Sequence, residues 1–220
     1  IASLNNLYWL SQTPSEWASG KYYVQTADID ASRTSLLDNG AGWTRLGNSS
    51  TNFKANYDGG GHVISGLFIN RPTVTNVSFI GYGTGKISNL GLENVNITGR
   101  GSTAGFIAWG SGVTIDKCYV TGTVKGNGDG VGGFMNRSSG TVSISNCYSR
   151  ASVTGTNGAV GGFLGYGSNG SATIINCYST GSVSAGWMYA GFAGFTGPTY
   201  SNSFWDMETS GQTNGQYQGA

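Results

Sequence analysis

A glycine-aromatic phrase recurs five times in this chain, and its nearly constant spacing constrains the fold more than any other feature. The phrase is built on phenylalanines at intervals of 27, 28, 29 and 29 residues: Phe79, Phe106, Phe134, Phe163 and Phe192. Self-similarity at a fixed period of this length predicts a repeat architecture. One copy cannot bury its apolar face alone, so the copies must stack and share a core.

Two further phrases complete each period. One is an isoleucine strand that ends in a bend, as in residues 115–118 and 144–147, and the other is a strand that begins at a tyrosine, as in residues 119–124. We therefore predict an all-β fold, a parallel β-solenoid (β-helix) with three short strands per coil and a period of about 27–30 residues. A β-propeller fits less well, because its blades need four strands and about 40 residues or more.

The first 20 residues follow a different pattern and are predicted to form an N-terminal cap. Apolar residues lie there near helical spacing: Leu4, Leu7, Tyr8 and Leu10. Ser3 is a candidate N-cap, and Pro14 ends the pattern. A short helix at this position would cover a sheet edge that otherwise invites another chain to pair with it.

The remaining residues divide into coils and a tail, all within one predicted domain of residues 1–220. Residues 21–205 are expected to form the coils, and residues 206–220 are a polar tail without a repeat pattern. Only the N-terminal end of the solenoid is therefore expected to be covered against pairing with another chain. The opposite end, near Phe204 and Trp205, is expected to be open to another subunit.

Charge and composition narrow the classes of partner. The 11 basic and 10 acidic residues are scattered singly, so no basic stripe is present and nucleic acid is not an expected partner. No apolar run approaches the ~20 residues of a membrane span. The 39 glycines and the many Asn, Ser, Thr and Tyr residues are typical of a secreted or cell-surface bacterial protein.

Several phrases resemble the GLUG-repeat family, and the resemblance extends from about Lys21 to Gln212. They are residues 132–134 and 161–165 (Gly-Gly-Phe), 146–148 (Asn-Cys-Tyr), the lead-in 58–67 and the closing segment 204–211. The resemblance implies a scaffold rather than a reaction, as in bacterial adhesin-like surface proteins and the non-catalytic parts of some immunoglobulin A proteases. Asn136, Arg137 and Lys117 depart from the family pattern.

Two sets of residues occupy equivalent repeat positions and are predicted to form structural ladders. The first set is the cysteines Cys118, Cys147 and Cys177. Buried free thiols are favoured over disulfides, because in-register side chains hold the Cβ atoms too far apart for the bond. The second set precedes the cysteine position: Asn89, Asn146, Asn176 and Asn202. Their amides can hydrogen-bond along the stack, whereas Lys117 cannot join them.

Aromatic residues form the candidate binding surface. If the cysteines point inward, strand alternation turns Tyr119, Tyr148 and Tyr178 outward. A further column consists of Tyr82, Trp109, Tyr166 and Phe195, interrupted by Arg137. Two interpretations of this column stay open, an exposed interaction surface or a cover over a corner of the core.

The glycine-aromatic strand itself carries apolar residues at both parities. The phenylalanines alternate with Ile80, Ile107, Met135, Leu164 and Ala193. One of the two sets must be core, and the other must be covered by neighbouring chain or form an exposed apolar surface.

No constellation for catalysis or metal binding is found in the sequence. No two equivalent positions in neighbouring coils both carry acids, and His62 is the only histidine. Asp28 and Asp30 share a strand face that could bind calcium, although a structural role is favoured. We therefore expect no catalytic residues, no metal and no cofactor, and a protein that is not an enzyme.

The function predicted from the sequence is a non-catalytic extracellular structural or adhesive module. It would associate with itself, end to end or laterally, into a surface layer or filament. The alternative is a carbohydrate-binding module that stacks a cell-surface or extracellular polysaccharide on the aromatic column. A third hypothesis is an ice-binding face, suggested by Thr121, Thr123, Thr180 and Ser182, whose regularity Arg150 breaks.

Overall fold

The computed structural model describes residues 1–167, 172–195 and 197–216. The chain winds as a parallel β-solenoid, and the strands of successive coils line up into four sheets, named A to D here. Neighbouring strands pair in register, as Ile115 of one coil does with Ile144 of the next. The fold class predicted from the repeat is confirmed.

Sheets A and B run the length of the solenoid. Sheet A contains β1 (Tyr22–Val24), β3 (Asn56–Asp58), β7 (Lys86–Ser88), β11 (Thr114–Asp116), β15 (Val142–Ser145), β19 (Ala172–Ile175) and β24 (Thr199–Ser201). Sheet B contains β2 (Ile29–Asp30), β4 (Val63–Ser65), β8 (Gly91–Gly99), β12 (Tyr119–Gly126), β16 (Tyr148–Gly155), β20 (Tyr178–Ser179) and β25 (Phe204–Trp205), with β5 (Phe68–Arg71) beside β8 and β21 (Val183–Ala185) beside β16.

Sheets C and D are shorter and form the rest of each coil. Sheet C contains β6 (Ile80–Gly83), β10 (Ile107–Ser111), β14 (Met135–Ser139), β18 (Leu164–Gly167) and β23 (Ala193–Phe195). Sheet D contains β9 (Thr103–Ala104), β13 (Val131–Gly132), β17 (Val160–Gly161) and β22 (Tyr189–Ala190). The helical segments are α1 (Leu4–Gln12), α2 (Met207–Ser210) and the 3-10 turns η1 (Pro14–Trp17), η2 (Ser32–Leu36) and η3 (Asp38–Gly40).

The prediction of three strands per coil is wrong, because the glycine-aromatic phrase breaks into two strands. In the coil of Phe106 the break separates β9 from β10. The amides of Phe106 and Ile107 both donate to the carbonyl of Phe134, at 3.0 and 3.1 Å. Two successive amides can reach one acceptor only where the backbone bends sharply, so the phrase forms a corner rather than a straight strand.

This corner also explains why both apolar columns belong to the core. The bend removes the strict alternation of a strand, so both Phe134 and the following Met135 turn inward and are fully buried. The same holds for the pairs in the other coils, with Phe192 the most exposed at 3%. The expectation that one of the two sets would need a separate cover, or form an exposed apolar face, is therefore not met.

The turn from sheet A into sheet B is a left-handed bend in five successive coils, from the β7–β8 turn to the β24–β25 turn. Its central residues have φ between 47° and 53°: Asn89, Lys117, Asn146, Asn176 and Asn202. Asparagine tolerates this conformation better than most residues because its short polar side chain can bond locally. The asparagine phrase of the sequence therefore marks a backbone requirement.

The N-terminal end is covered by α1, as predicted. Ser3 caps the helix by accepting a hydrogen bond from the amide of Asn6, at 3.3 Å. Leu7 and Leu10 are fully buried, and the Trp17 indole donates to the carbonyl of Leu10 at 2.8 Å. The helix thus closes the core above the first coil.

The C-terminal end is half covered, which corrects the expectation that it would be open. After α2 the tail turns back over the last coil, where the amides of Phe192 and Ala193 donate to the carbonyl of Gly215 at 3.0 and 2.8 Å. The Trp205 indole donates to Gln212 O at 3.0 Å. The tail therefore covers the last strands of sheets C and D, while β24 and β25 end sheets A and B.

We expect Phe134→Ala to lower the free energy of unfolding by about 3–5 kcal/mol, because the ring is fully buried and stacked 4.8 Å from both Phe106 and Phe163. Urea denaturation followed by circular dichroism measures the loss. Tyr148→Ala is the control, with an expected loss under about 2 kcal/mol, because Tyr148 is only half-buried on the outer face. A loss below about 1 kcal/mol for Phe134→Ala would contradict the assigned core.

Candidate functional site

Sheet C carries an outer column of side chains, termed the ring column. It consists of Tyr82, Trp109, Arg137, Tyr166 and Phe195. Each member occupies the same position of its coil, and each is half-buried. The Tyr82 and Trp109 rings stack at 5.7 Å, and the Tyr166 and Phe195 rings stack at 4.6 Å.

Arg137 continues the ring column instead of interrupting it. Its guanidinium carbon lies 5.1 Å from the Trp109 ring centre and 4.8 Å from the Tyr166 ring centre. A planar cation between two ring faces is a favourable cation–π arrangement. The sequence-based expectation of a gap at this coil is therefore wrong, because a guanidinium stacks as a ring does.

Stacking limits what the ring column can bind. The rings lie nearly parallel, at interplanar angles of 15° and 3°, so they cover one another's faces. A sugar that stacks face to face would need an uncovered ring, which the column offers only where it ends. Beside its first member is a cleft of ≈ 240 Å³, lined by Ser49, Asn52, Tyr82, Gly83, Trp109 and Ser111.

Sheet B carries a second outer column, of tyrosines. Tyr119, Tyr148 and Tyr178 stack at 4.7 and 4.9 Å, and Phe204 extends the stack at 5.6 Å. The Tyr119 hydroxyl donates to the Glu93 carboxylate at 2.6 Å. Burial, followed by this hydrogen bond, raises the pKa of Tyr119. The outward orientation predicted for the tyrosines agrees with their half-buried side chains.

Arg150 lies over the tyrosine column but is held differently from Arg137. Its guanidinium carbon is 5.2 Å from the Tyr148 ring centre, and it donates to the Tyr178 hydroxyl at 3.3 Å. The residue is exposed. The regular threonine face that ice binding would need is broken at this position.

The three cysteines lie in one column and are free thiols, at most 1% exposed. The Cys147 thiol donates to Ser145 O at 3.0 Å. Burial raises the pKa of Cys147, and the hydrogen bond with Cys147, followed by burial, raises the pKa of Cys177. Thiols in this state are poor nucleophiles and weak metal ligands, because both roles need the thiolate.

The asparagines form an amide ladder beside the cysteines. Asn202 Nδ2 donates to Asn176 Oδ1 at 3.3 Å, and Asn176 Nδ2 donates to Asn146 Oδ1 at 3.1 Å. At Lys117 the ladder changes partner, and Asn146 Nδ2 donates to Asp116 Oδ1 at 2.7 Å. Asn89 donates in the same way to Asp58 Oδ1, at 2.9 Å.

The carboxylates that could suggest catalysis or calcium binding are engaged in local structure. Asp28 accepts from the amide of Val63 at 3.0 Å and lies 3.1 Å from His62 Nδ1. Its pKa is lowered, first by the Val63 hydrogen bond and then by His62. Asp30 accepts from the amide of Ser32 at 2.9 Å. No group of three or more metal-binding side chains occurs in the part of the chain that the structure describes.

No family model matches the chain. It is 33% identical over 123 residues to Halomucin of Haloquadratum walsbyi, a match that covers 54% of this chain and 1% of Halomucin. The chain thus spans about one hundredth of that relative. The resemblance to GLUG repeats stays a prediction.

A solved structure is similar over most of the chain. It is a protein from Bacteroides ovatus provisionally named an immunoglobulin A1 protease, and it superposes with a TM-score of 0.67. The match covers 93% of this chain and 74% of that one at 20% identity. A likeness at this identity shows the β-solenoid fold alone. None of the described helices has the length and hydropathy that crossing a membrane requires.

Native protein should resist alkylation by iodoacetamide at all three cysteines, because each thiol is buried. Denaturation without a reductant should expose three labelled thiols, counted by mass spectrometry. Rapid labelling of the native protein, or fewer than three free thiols after unfolding, would show that the cysteine column is wrongly assigned.

Proposed function

We propose that this chain is a non-catalytic extracellular module whose copies associate end to end into a surface layer or a filament. The observation that carries the proposal is the position of its exposed apolar side chains. The large ones all lie within the first 36 residues or after residue 186: Tyr8, Trp9, Tyr22, Val24, Leu36, Trp187, Tyr189, Phe204 and Met207. Between residues 37 and 186 no described large apolar side chain is exposed.

These residues fall into two sets, one in the cap and first coil and the other in the last coil and tail, and each set is termed a patch here. The N-terminal patch consists of Tyr8, Trp9, Tyr22, Val24 and Leu36, and the C-terminal patch consists of Trp187, Tyr189, Phe204 and Met207. Trp187 is 63% exposed and Leu36 is 72% exposed. Exposed apolar surface marks interaction sites on proteins, and the described residues between the two sets carry no large apolar side chain that is exposed to this degree.

Contact through side chains takes the place of edge-strand pairing where a terminal segment already covers the sheet edge. The tail already satisfies the last strands of sheets C and D through Asn214 and Gly215. At the other end, the carbonyl of Ile1 accepts from the amide of Thr26 at 3.0 Å. Aromatic side chains are the usual anchors of protein interfaces, so the patches provide what the covered edges do not.

The non-catalytic and extracellular parts of the proposal rest on separate observations. The cysteines are buried, and Asp28, Asp58 and Asp116 accept hydrogen bonds within turns and the amide ladder. The likeness to Halomucin, a relative named as a mucin, supports a location outside the cell. The composition rich in Gly, Asn, Ser and Thr supports the same location.

A second function, polysaccharide binding, is supported by the cleft at the start of the ring column. The polar residues Ser49, Asn52 and Ser111 line it together with Tyr82 and Trp109. A few polar groups beside aromatic surface are what fix the orientation of a small ligand. Loss of retention on a polysaccharide column in Trp109→Ser, with the ends intact, would separate this function from end-to-end association.

Sedimentation velocity over a range of concentrations tests the first function. The unaltered protein should associate reversibly, and Trp187→Ser should weaken association by roughly thirtyfold, because a central tryptophan contributes about 2 kcal/mol to an interface. Trp109→Ser removes the same kind of ring from the side of the solenoid and should leave association unchanged. A protein that stays monomeric at every concentration, or an equal loss in Trp109→Ser, would contradict end-to-end contact.

A further inference from the structure

We propose that the two ends fit each other, so that the C-terminal patch of one copy docks head to tail on the N-terminal patch of the next. This inference rests on the end-to-end association proposed above and adds the direction, the contact and the pair of charges. The occupant of each patch is a second copy of this chain.

The N-terminal patch borders a cleft that can receive a large side chain. The cleft has a volume of ≈ 310 Å³ and is lined by Leu4, Asn5, Tyr8, Asp30, Arg33, Leu36 and Leu37. Four of these seven residues are apolar or aromatic. A mostly apolar depression of this size suits an exposed aromatic ring.

The C-terminal patch supplies such rings. Trp187 and Tyr189, which is 41% exposed, stand beside the tail residues Gln212, Thr213 and Asn214. Phe204 is the last ring of the tyrosine column, so no further ring of the column covers its outer face, and it is 58% exposed. Insertion of one of these rings into the cleft would remove apolar surface from water on both copies.

Most charges near the N-terminal cleft are engaged, but the cation that lines the cleft is not. Glu16 pairs with Lys21, Asp28 with His62 and Asp38 with Arg71. The Asp30 carboxylate accepts from the amide of Ser32. Arg33 is exposed at the cleft and has no ion pair or hydrogen bond among the described residues.

The C-terminal end has the complementary charge. No Lys, Arg or His occurs after Arg150, and the acids there are Asp206 and Glu208. Asp206 is occupied as the N-cap of α2, since its carboxylate accepts from the amides of Glu208 and Thr209. Glu208 is exposed and makes no ion pair with a described residue. Arg33 and Glu208 are therefore the pair that a head-to-tail contact would join.

Because the two patches differ, head-to-tail docking can continue from copy to copy. A contact between two different patches is heterologous, so each added copy leaves one free patch of each kind, and the assembly continues as a chain unless it closes into a ring. A contact between two identical patches would stop at a dimer. The direction of docking thus decides whether the protein forms filaments.

Charge reversal tests the pair. In sedimentation velocity, Arg33→Glu and Glu208→Arg should each weaken association by roughly tenfold, and the chain carrying both should recover it, because the reversed pair can re-form. Lys125→Glu, an exposed change on β12, is the control and should have no effect. Association that persists unchanged in both single variants would overturn the inference and leave the proposed function standing. Absence of association in the unaltered protein would remove both.

Mixing tests the direction. At a concentration where Leu36→Ser and Trp187→Ser are each mostly monomeric, an equimolar mixture should form dimers, because each variant keeps the patch that the other has lost. Dimers of Leu36→Ser alone would indicate contact between two C-terminal patches. Dimers of Trp187→Ser alone would indicate contact between two N-terminal patches, and either result would overturn the head-to-tail arrangement.

Discussion

In-register pairing of the coils at the left-handed bend is the constraint on which the rest of the structure depends. At this bend the amide of Asn146 donates to Ile175 O in the next coil, and the amide of Tyr148, two residues later, donates to Cys118 O in the preceding coil. Each bend therefore ties its coil to both neighbours. Because the five bends from Asn89 to Asn202 have nearly the same φ, their coils share one outline and equivalent residues come to lie on top of one another.

This repetition explains why many side chains in the middle coils have their interaction partners within the chain. A residue that stacks on its own kind finds its partner in the adjacent coil, as the rings of Phe134 and Phe163, the amides of Asn146 and Asn176, and the buried thiols do. Within this chain, the first and last coils have a neighbouring coil on one side. Among the described residues, large exposed apolar side chains consequently occur only in the coils at the two ends, which is where we place the function.

Much of this arrangement is predictable from the sequence, because residues that recur at the repeat period occupy equivalent positions in the stacked coils. Regular phenylalanines, cysteines and asparagines identify the solenoid, its inward columns and its bend, and the spacing of Leu7 and Leu10 identifies the cap. The corner at Phe106 is not predictable in this way, since a buried strand and a buried bend both appear in the sequence as a run of apolar residues. Period analysis likewise cannot show that Arg137 stacks between rings or that Gly215 folds back over Phe192, because neither contact repeats along the chain.

Site-specific photo-crosslinking tests the central claim, that the working surfaces are the unlike ends of a stacked solenoid. A benzophenone amino acid would replace Trp187, and the crosslinked peptides would be identified by mass spectrometry of mixed light and isotope-labelled protein. The account predicts intermolecular crosslinks to residues 4–37 of a second copy, around the cleft that Leu36 and Arg33 line. Crosslinks to the outer faces of sheets A, B or C, or crosslinks within one chain only, would contradict it.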